Sequence, residues 1–285
     1  MSGVLNVLLN LFFVAVLHMT VNGVAIATVM ANAFSSALLF RRLLRSGKDI
    51  RLEPRRLRMD GRSLWMILRI GLPAGLQSAV FAISNIVIQS AINSLGKVVM
   101  AASSAACNIE VFAYDVMNSY NQACTTFVGQ NYGAGQIRRC RKTLYLCLIE
   151  DAVSLGATVA LVLLTGHFLL SIFNNDPQVI ALGYDRLKIV FFAYIFSLLY
   201  EVMSGYLRGF GISLVPAALT ALGVCGIRIA WIHFVFPQHP TLQTIMTSYP
   251  VSLSATALMI FIALLCYRPA RKHAAMEREP APAGN

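Results

Sequence analysis

The sequence predicts an all-α integral membrane protein with about eight transmembrane helices. Of the 285 residues, 57% are hydrophobic and only 12% are charged, about half the charged fraction of a soluble domain. The apolar residues come in blocks near the length that a helix needs to cross a bilayer. Because backbone groups in lipid must be satisfied within the protein, these blocks predict a helical bundle.

Hydropathy places the spans at residues 3–17, 21–40, 64–92, 100–128, 144–173, 187–207, 215–236 and 242–267. The longest polar interval separates two spans from the following six. A weak repeat relates the first helix pair to the last, and paired six-helix units are the usual plan of secondary transporters. We therefore expect the last two helices of one lobe at 1–40, a basic cytoplasmic linker at 41–62, a complete six-helix lobe at 63–268, and a disordered cytoplasmic tail at 269–285.

The distribution of charge predicts the orientation in the membrane. If the eight spans alternate, 19 of the 23 lysines and arginines fall on one side. The exceptions are Lys97, Arg186 and Lys188 on the other side and Arg228 inside a span. Positive loops mark the cytoplasmic side, so both termini are expected in the cytoplasm and the protein in the plasma membrane. This bias explains the net charge of +11 without nucleic acid.

A glycine-rich stretch at residues 129–135 lies beside four basic residues and first suggests a phosphate-binding loop. It lacks the Lys-Ser/Thr ending of a P-loop, so it is better interpreted as a helix end leaving the membrane, with Gly129 and Gly133 in a structural role. Histidines are scattered, and H-E-x-x-H and G-x-S-x-G are absent. We expect no enzymatic activity, metal or cofactor.

Acidic side chains inside membrane spans are costly, so each is a candidate functional residue. Glu201 is the strongest, because it lies well inside the sixth span with Ser197 and Ser204 one turn away. It would bind a proton or cation, or alternatively form a structural pair with Arg228 in the next span; both roles are compatible.

Four other acids lie in apolar segments. Glu110 and Asp115 in the fourth span are further candidates for proton or cation coupling, or else structural hydrogen-bonding groups. Their spacing of five places them on different helix faces. Glu150 and Asp151 lie near the cytoplasmic end of the fifth span and are expected to pair with nearby basic residues, the candidates being Arg138, Arg139 and Lys142.

Polar side chains at helical spacing mark a candidate substrate cavity. Such amides and hydroxyls bind a substrate or hold helices together, and the pattern does not choose between these roles. Asp115, Asn118 and Gln122 form one expected inward stripe. The cavity candidates are Gln77, Asn85, Gln89, Asn118, Gln122, Tyr200 and Ser204. Structural roles are expected for Pro73, Arg208, Pro216, Arg228 and Pro250.

Several motifs together resemble the multidrug and toxic compound extrusion (MATE) family. The third span contains G-L-P-A-G-L-Q-S from Gly71. The fourth ends in T-T-F-V-G-Q-N-Y-G-A-G from Thr125, and the sixth ends in G-Y-L-R-G-F-G from Gly205. The seventh contains R-I-A-W from Arg228, and the last begins S-Y-P-V-S from Ser248. These motifs cover nearly the whole chain in the family's order.

The resemblance implies a twelve-helix antiporter, made of two six-helix lobes, that expels amphipathic and often cationic drugs in exchange for Na⁺ or H⁺. Glu201 matches a position in the family's tenth helix where members often carry an acid. The first four family helices are missing, including an acid that some branches use. The third span also lacks an acid that several branches carry there. The expected partners are the lipid bilayer, a small drug-like substrate and the missing helices supplied separately.

Two alternatives stay open beside cation-coupled drug efflux. One is a flippase for lipid-linked saccharides, which shares the superfamily architecture and would need a strongly cationic cavity. The other is a non-transporting truncated fragment. Only Arg228 is clearly inside a predicted span, which counts against the flippase.

Overall fold

The computed structural model describes residues 2–45, 47 and 59–267, and every regular element in these ranges is helical. The helices are α1 (Ser2–Leu11), α2 (Val21–Arg45), α3 (Gly61–Ser94), α4 (Lys97–Gly133), α5 (Ile137–Phe173), α6 (Pro177–Gly209), α7 (Leu214–Thr220), α8 (Ile227–Phe234) and α9 (Leu242–Tyr267). Phe12–Val16 is a π-helical extension of α1, and Ala221–Gly226 is a π-helical segment that joins α7 to α8. The predicted all-α fold is confirmed.

The predicted spans coincide with these helices, and the seventh crosses α7, the π-helical segment and α8. Six of them are long and apolar enough to cross a membrane: Val21–Arg45, Gly61–Ser94, Ile137–Phe173, Pro177–Gly209, Leu214–Phe234 and Leu242–Tyr267. The first predicted span is a shorter apolar helix, Gly3–Val16. The fourth, α4, is 37 residues long but carries many polar side chains along its apolar sequence. Several helices extend beyond the hydropathic spans, and α6 begins ten residues before the predicted start.

The chain divides into two compact units, Met1–Leu64 and Trp65–Asn285. In the first unit, α1 and α2 pack together around small buried residues such as Ala27 and Ala31. The linker expected at 41–62 begins as helix, because α2 continues to Arg45. Residues 46 and 48–58 of that linker, and the tail expected at 269–285, lie outside the described residues.

The start of α3 is capped by Asp60. The backbone N–H and the hydroxyl of Ser63 both donate to one carboxylate oxygen of Asp60, at 2.9 and 2.8 Å. An acidic N-cap satisfies backbone donors that have no partner inside the helix. The bond from the Ser63 backbone, followed by that from its hydroxyl, holds the pKa of Asp60 below its usual range.

The second unit presents an apolar surface and has a buried core. Large side chains on several helices point outward, among them Phe112, Leu164 and Phe168 with 70%, 86% and 67% of their surface exposed. A soluble protein rarely exposes so much contiguous apolar surface, whereas lipid tails can cover it. Length, composition and surface together indicate a multi-pass membrane protein.

The most extensive helix pair, α4 with α6, is held at close range by glycines. Gly205 and Gly209 lie one turn apart on the α6 face that contacts α4. A Cβ atom at Gly205 would lie 2.6 Å from the backbone oxygen of Asn121, and one at Gly209 would lie 2.6 Å from Cβ of Val128. Small residues four apart let membrane helices approach closely. Thr125 also donates to the carbonyl of Gly205 at 3.1 Å, so the register of the pair is fixed.

The turn between α4 and α5 is shorter than the interval between the predicted spans, residues 129–143. It consists of residues 134–136, and the four basic residues lie in the first two turns of α5. Gly129 and Gly133 are inside α4 rather than in the turn. The turn instead depends on Gly135, whose φ of 71° is a conformation that favours glycine.

Candidate functional site

The second unit encloses a cavity of about 780 Å³ between α3, α4, α6, α9 and the segment that runs through the π-helix into α8. Apolar and aromatic side chains form part of its wall, including Phe81, Tyr114 and Tyr194. The charged residues that line it are Glu110, Arg186, Glu201, Arg208 and Arg228. A concave site with apolar walls and a few polar groups is the usual form of a small-molecule site.

Most of the predicted cavity residues line this space. Those that do are Gln77, Asn85, Gln89, Asn118 and Tyr200. Ser204 does not, because it is buried behind the cavity wall with 1% of its surface exposed. Gln122 and Asp115 are exposed and lie outside the lining. The inward stripe expected of Asp115, Asn118 and Gln122 is therefore absent, because only Asn118 faces the cavity.

Glu201 lies in the cavity wall and is 8% exposed. The side-chain amide of Asn121 on α4 donates to one of its carboxylate oxygens at 2.5 Å. Tyr200 and Arg208 line the same cavity. The neutral amide of Asn121 thus holds Glu201 in place while its carboxylate faces the cavity.

The alternative partner of Glu201, Arg228, makes different contacts. Its Nε donates to the hydroxyl of Ser252 at 2.9 Å, and its guanidinium lies 4.0 Å from the ring centroid of Tyr249. Both partners are on α9. A guanidinium over an aromatic face is attracted by the negative potential of the ring. Arg228 therefore lies at the cavity without a carboxylate partner among the described residues.

Glu110 pairs with Arg186, which the hydropathy pattern had placed in a loop. Nε and Nη2 of Arg186 donate to the two carboxylate oxygens of Glu110 at 2.7 and 3.0 Å. Arg186 is only 2% exposed, and it also donates to Ser103 and Cys107. The loop assignment was wrong because α6 begins at Pro177, so Arg186 lies inside the bundle.

Helical spacing could have located Arg186. It lies on the α6 face that also carries Tyr194, Ser197, Glu201 and Arg208, all of which line the cavity. The intervals between these positions are eight, three, four and seven residues, all of which keep to one face of a helix. Extending the period of the Glu201 face towards the N-terminus would have included Arg186.

Arg208 on α6 forms a hydrogen bond to α3 at the cavity lining. Its Nη2 donates to the side-chain oxygen of Gln77 at 3.2 Å. With Arg186 and Arg228, it brings the number of arginines in the lining to three. The expectation that Arg228 is the one basic group clearly inside a span was therefore wrong.

The predicted pairing of Asp151 with basic residues at the start of α5 is wrong. It has no exposed surface and lies on the inner face of α5, whereas Arg138, Arg139 and Lys142 are exposed. Neither carboxylate oxygen of Asp151 has a hydrogen-bond partner among the described residues. The reason is helical geometry, because Asp151 follows buried Leu144 and Cys147 on one face. Its neighbour Glu150 is exposed.

The prolines with expected structural roles lie inside helices. Pro73 is in the interior of α3 and Pro250 in the interior of α9, where each removes one backbone donor. Pro216 is in the first turn of α7, a position where a proline costs little. No group of three or more His, Cys, Asp or Glu side chains suited to a metal occurs in the described ranges.

Comparison with known proteins identifies the family. A family profile described as MatE matches residues 73–232, more than half of the chain. The probable multidrug resistance protein YoeA of Bacillus subtilis (strain 168) is 22% identical over 244 residues, covering 84% of this chain and 52% of that protein. The chain spans about half the length of the curated relatives it matches.

Solved structures show the same fold. An outward-facing multidrug resistance MATE family transporter of the MOP superfamily superposes with a TM-score of 0.84 at 18% identity, covering 95% of this chain and 61% of that one. A Pyrococcus furiosus MOP superfamily transporter, described as having a binding pocket of reverse polarity, gives 0.83 at 20% identity, with coverages of 97% and 62%. The family profile and this shared fold agree with the motifs, and the chain belongs to the MatE, or multidrug and toxic compound extrusion, family.

Proposed function

We propose that this chain forms the cavity-bearing part of a secondary transporter that exports amphipathic, often cationic, compounds in exchange for Na⁺ or H⁺. The observation that carries the proposal is Glu201, a carboxylate that faces the cavity and is held by Asn121 at 2.5 Å. Ionisable groups inside membrane bundles usually mark ion or substrate pathways. Relatives named as multidrug resistance or export proteins support the same function.

The cavity chemistry suits such a substrate. Its aromatic walls can cover an apolar body, and the faces of Tyr114 and Tyr194 can attract a cationic head. The carboxylate of Glu201 can hold either a coupling ion or a cationic substrate, but not both at full strength. Competition for one carboxylate is a simple physical basis for exchange. The proposal requires the bilayer as solvent and no enzymatic step or cofactor.

Ethidium uptake into everted membrane vesicles, which corresponds to export from the cell, tests the proposal. Under an imposed Na⁺ or proton gradient, we expect Glu201→Gln to abolish gradient-driven export, because the amide cannot carry the exchangeable charge. The matched control is Glu150→Gln, which neutralises an exposed acid on α5 and should export at the wild-type rate. Export by Glu201→Gln at the wild-type rate would refute the role of Glu201.

A second candidate function is flipping of lipid-linked saccharides, whose phosphates are anionic. The three arginines in the cavity lining support saccharide flipping, whereas the sequence alone counted against it. Reconstituted vesicles given a fluorescent lipid-linked saccharide distinguish the two functions. Saccharide flipping that is lost in Arg228→Gln, without gradient-driven ethidium export by the wild type, would replace the first proposal with the second.

A further inference from the structure

The cavity lining carries charges of both signs that do not cancel. Within the described residues, it contains three arginines and two glutamates. Glu110 is taken up by Arg186 in the buried ion pair. Of the other two arginines, Arg208 donates to a neutral amide and Arg228 donates to a neutral hydroxyl. With Glu201 ionised, the cavity therefore carries one excess positive charge.

Arg228 is buried and has a free hydrogen-bonding edge. It is 7% exposed, and among the described residues only its Nε has a hydrogen-bond partner, the hydroxyl of Ser252. Neither Nη group belongs to the fully buried side-chain atoms that lack a partner in the described ranges. Both therefore reach the open space of the cavity. A buried charge without an opposite charge is costly, and arginine cannot lose its proton to avoid that cost.

Two residues of α9 hold the guanidinium of Arg228 in place. The hydroxyl of Ser252 accepts from Nε at 2.9 Å and donates to the backbone carbonyl of Tyr249 at 3.1 Å. The ring centroid of Tyr249 lies 4.0 Å from the guanidinium carbon, so one face of the group is covered. The edge that carries the two Nη groups is left for the cavity. Such an edge donates two parallel hydrogen bonds to a carboxylate or a phosphate.

The rest of the cavity indicates what this oxyanion is attached to. The walls near the arginines include Phe81, Tyr194 and Leu253, which offer an apolar surface. The volume of about 780 Å³ is that of a site for a drug-sized molecule and far exceeds one inorganic anion. The oxyanion is therefore expected at one end of an amphipathic molecule.

We propose that Arg228, held by Ser252 and Tyr249, is a subsite for one oxyanion group of an amphipathic ligand. The oxyanion is a carboxylate or a phosphate, since both accept two parallel hydrogen bonds from one guanidinium. Glu201 lies on another helix of the same lining, so the cavity can bind a compound with an anionic group as well as a cationic one. This inference rests on the proposed transport function, because it names a second group that the transported compound carries.

Binding of two dyes that differ in one carboxyl group tests the subsite without transport. Rhodamine B has a cationic ring system and a free carboxylate, which is blocked in its ethyl ester. The measurement is the fluorescence anisotropy of each dye at increasing concentrations of the purified full chain in detergent, with empty micelles as background. We expect the wild type to bind rhodamine B about tenfold more tightly than the ester, because the ester loses a hydrogen bond between charged groups.

Replacing Arg228 should abolish this preference. In Arg228→Gln, we expect the affinity for rhodamine B to fall about tenfold and the affinity for the ester to stay the same. The matched control is Arg139→Gln, which removes an exposed arginine on α5 and should keep the wild-type preference. Melting temperatures report whether each variant is folded. If Arg228→Gln does not fold, Arg228→Lys decides, because it keeps the charge without the planar fork and must reduce the preference.

A second pair of compounds identifies the source of the oxyanion. Farnesyl phosphate and farnesol differ only in the phosphate, and each is added as a competitor of bound rhodamine B. Displacement by farnesyl phosphate at lower concentrations than by farnesol would assign the subsite to lipid phosphates. Equal displacement by the two compounds, or none, would assign it to the carboxylates of drug-like compounds.

Two results would overturn the inference: equal affinity of the wild type for rhodamine B and its ester, or an unchanged preference in a folded Arg228→Gln variant. Failure of the transport proposal gives a different result. In that case, the preference for rhodamine B would still depend on Arg228, while gradient-driven ethidium export would be absent.

Discussion

Replacing Glu110 with alanine would leave the guanidinium of Arg186 buried without its counter-charge. Arg186 is 2% exposed, and two of its nitrogens bond to the two oxygens of Glu110. Bidentate pairs of this kind are among the stronger polar contacts in proteins. Removing one partner of a buried ion pair costs about 3–5 kcal/mol, because an uncompensated charge remains.

The geometry sets where in this range the variants should fall. Arg186 would keep its contacts with Ser103, Cys107 and the ring of Tyr249, at 5.9 Å, so it stays in place. In Glu110→Gln, the amide oxygen can still accept one of the two hydrogen bonds, worth about 1 kcal/mol. We therefore expect about 3–5 kcal/mol for Glu110→Ala and about 2–4 kcal/mol for Glu110→Gln. The double change Glu110→Leu with Arg186→Met should cost less than either single loss of charge, because no charge remains buried.

Equilibrium unfolding in mixed micelles of mild detergent and SDS measures these free energies. The matched control is Asp115→Asn, which neutralises an exposed acid on the same helix and should change the free energy of unfolding by less than about 0.5 kcal/mol. The reasoning fails if Glu110→Ala costs no more than the control. It also fails if the effects of Glu110→Leu and Arg186→Met simply add in the double variant, since a real pair must be coupled.

Two further predictions concern the helix contact and the orientation. Gly205→Ala would place a Cβ atom 2.5 Å from the amide oxygen of Asn121, so α4 and α6 must separate, and we expect a loss of about 1–3 kcal/mol in the free energy of unfolding by the same assay. The control Gly156→Ala, whose Cβ atom would have nothing within 4 Å, should be close to neutral. Equal effects of the two substitutions would contradict the close approach of α4 and α6. If both termini are cytoplasmic, a single cysteine placed at exposed position Arg139 should react with a membrane-impermeant maleimide only after the cells are permeabilised. A single cysteine at position Lys97 should react in intact cells. The reverse labelling pattern would invert the proposed orientation.

Hydropathy and helical period were sufficient to predict the helices, because lipid leaves the backbone few other choices. The same reasoning singled out Glu201, since an acid in an apolar segment is conspicuous. It failed for Arg186 and Asp151, which lie near the ends of hydropathic blocks. A hydropathy window detects where the apolar sequence ends but not where the helix ends. Arg186 was therefore assigned to the aqueous side of the membrane, and Asp151 was expected to pair with basic residues at the cytoplasmic end of its span. The helices carry both residues into the bundle.

The sequence by itself determined the membrane class, the helical architecture and the family motifs. These properties depend on local composition and on spacing along one helix. Only the tertiary structure decided which charges meet: Glu110 with Arg186, Glu201 with Asn121, and Arg228 with Tyr249 rather than with Glu201. For the first two pairs, the physical reason is that partners 76 and 80 residues apart are brought together by the register of α4 against α6. The close approach at Gly205 and Gly209 sets that register, and no single helix contains it.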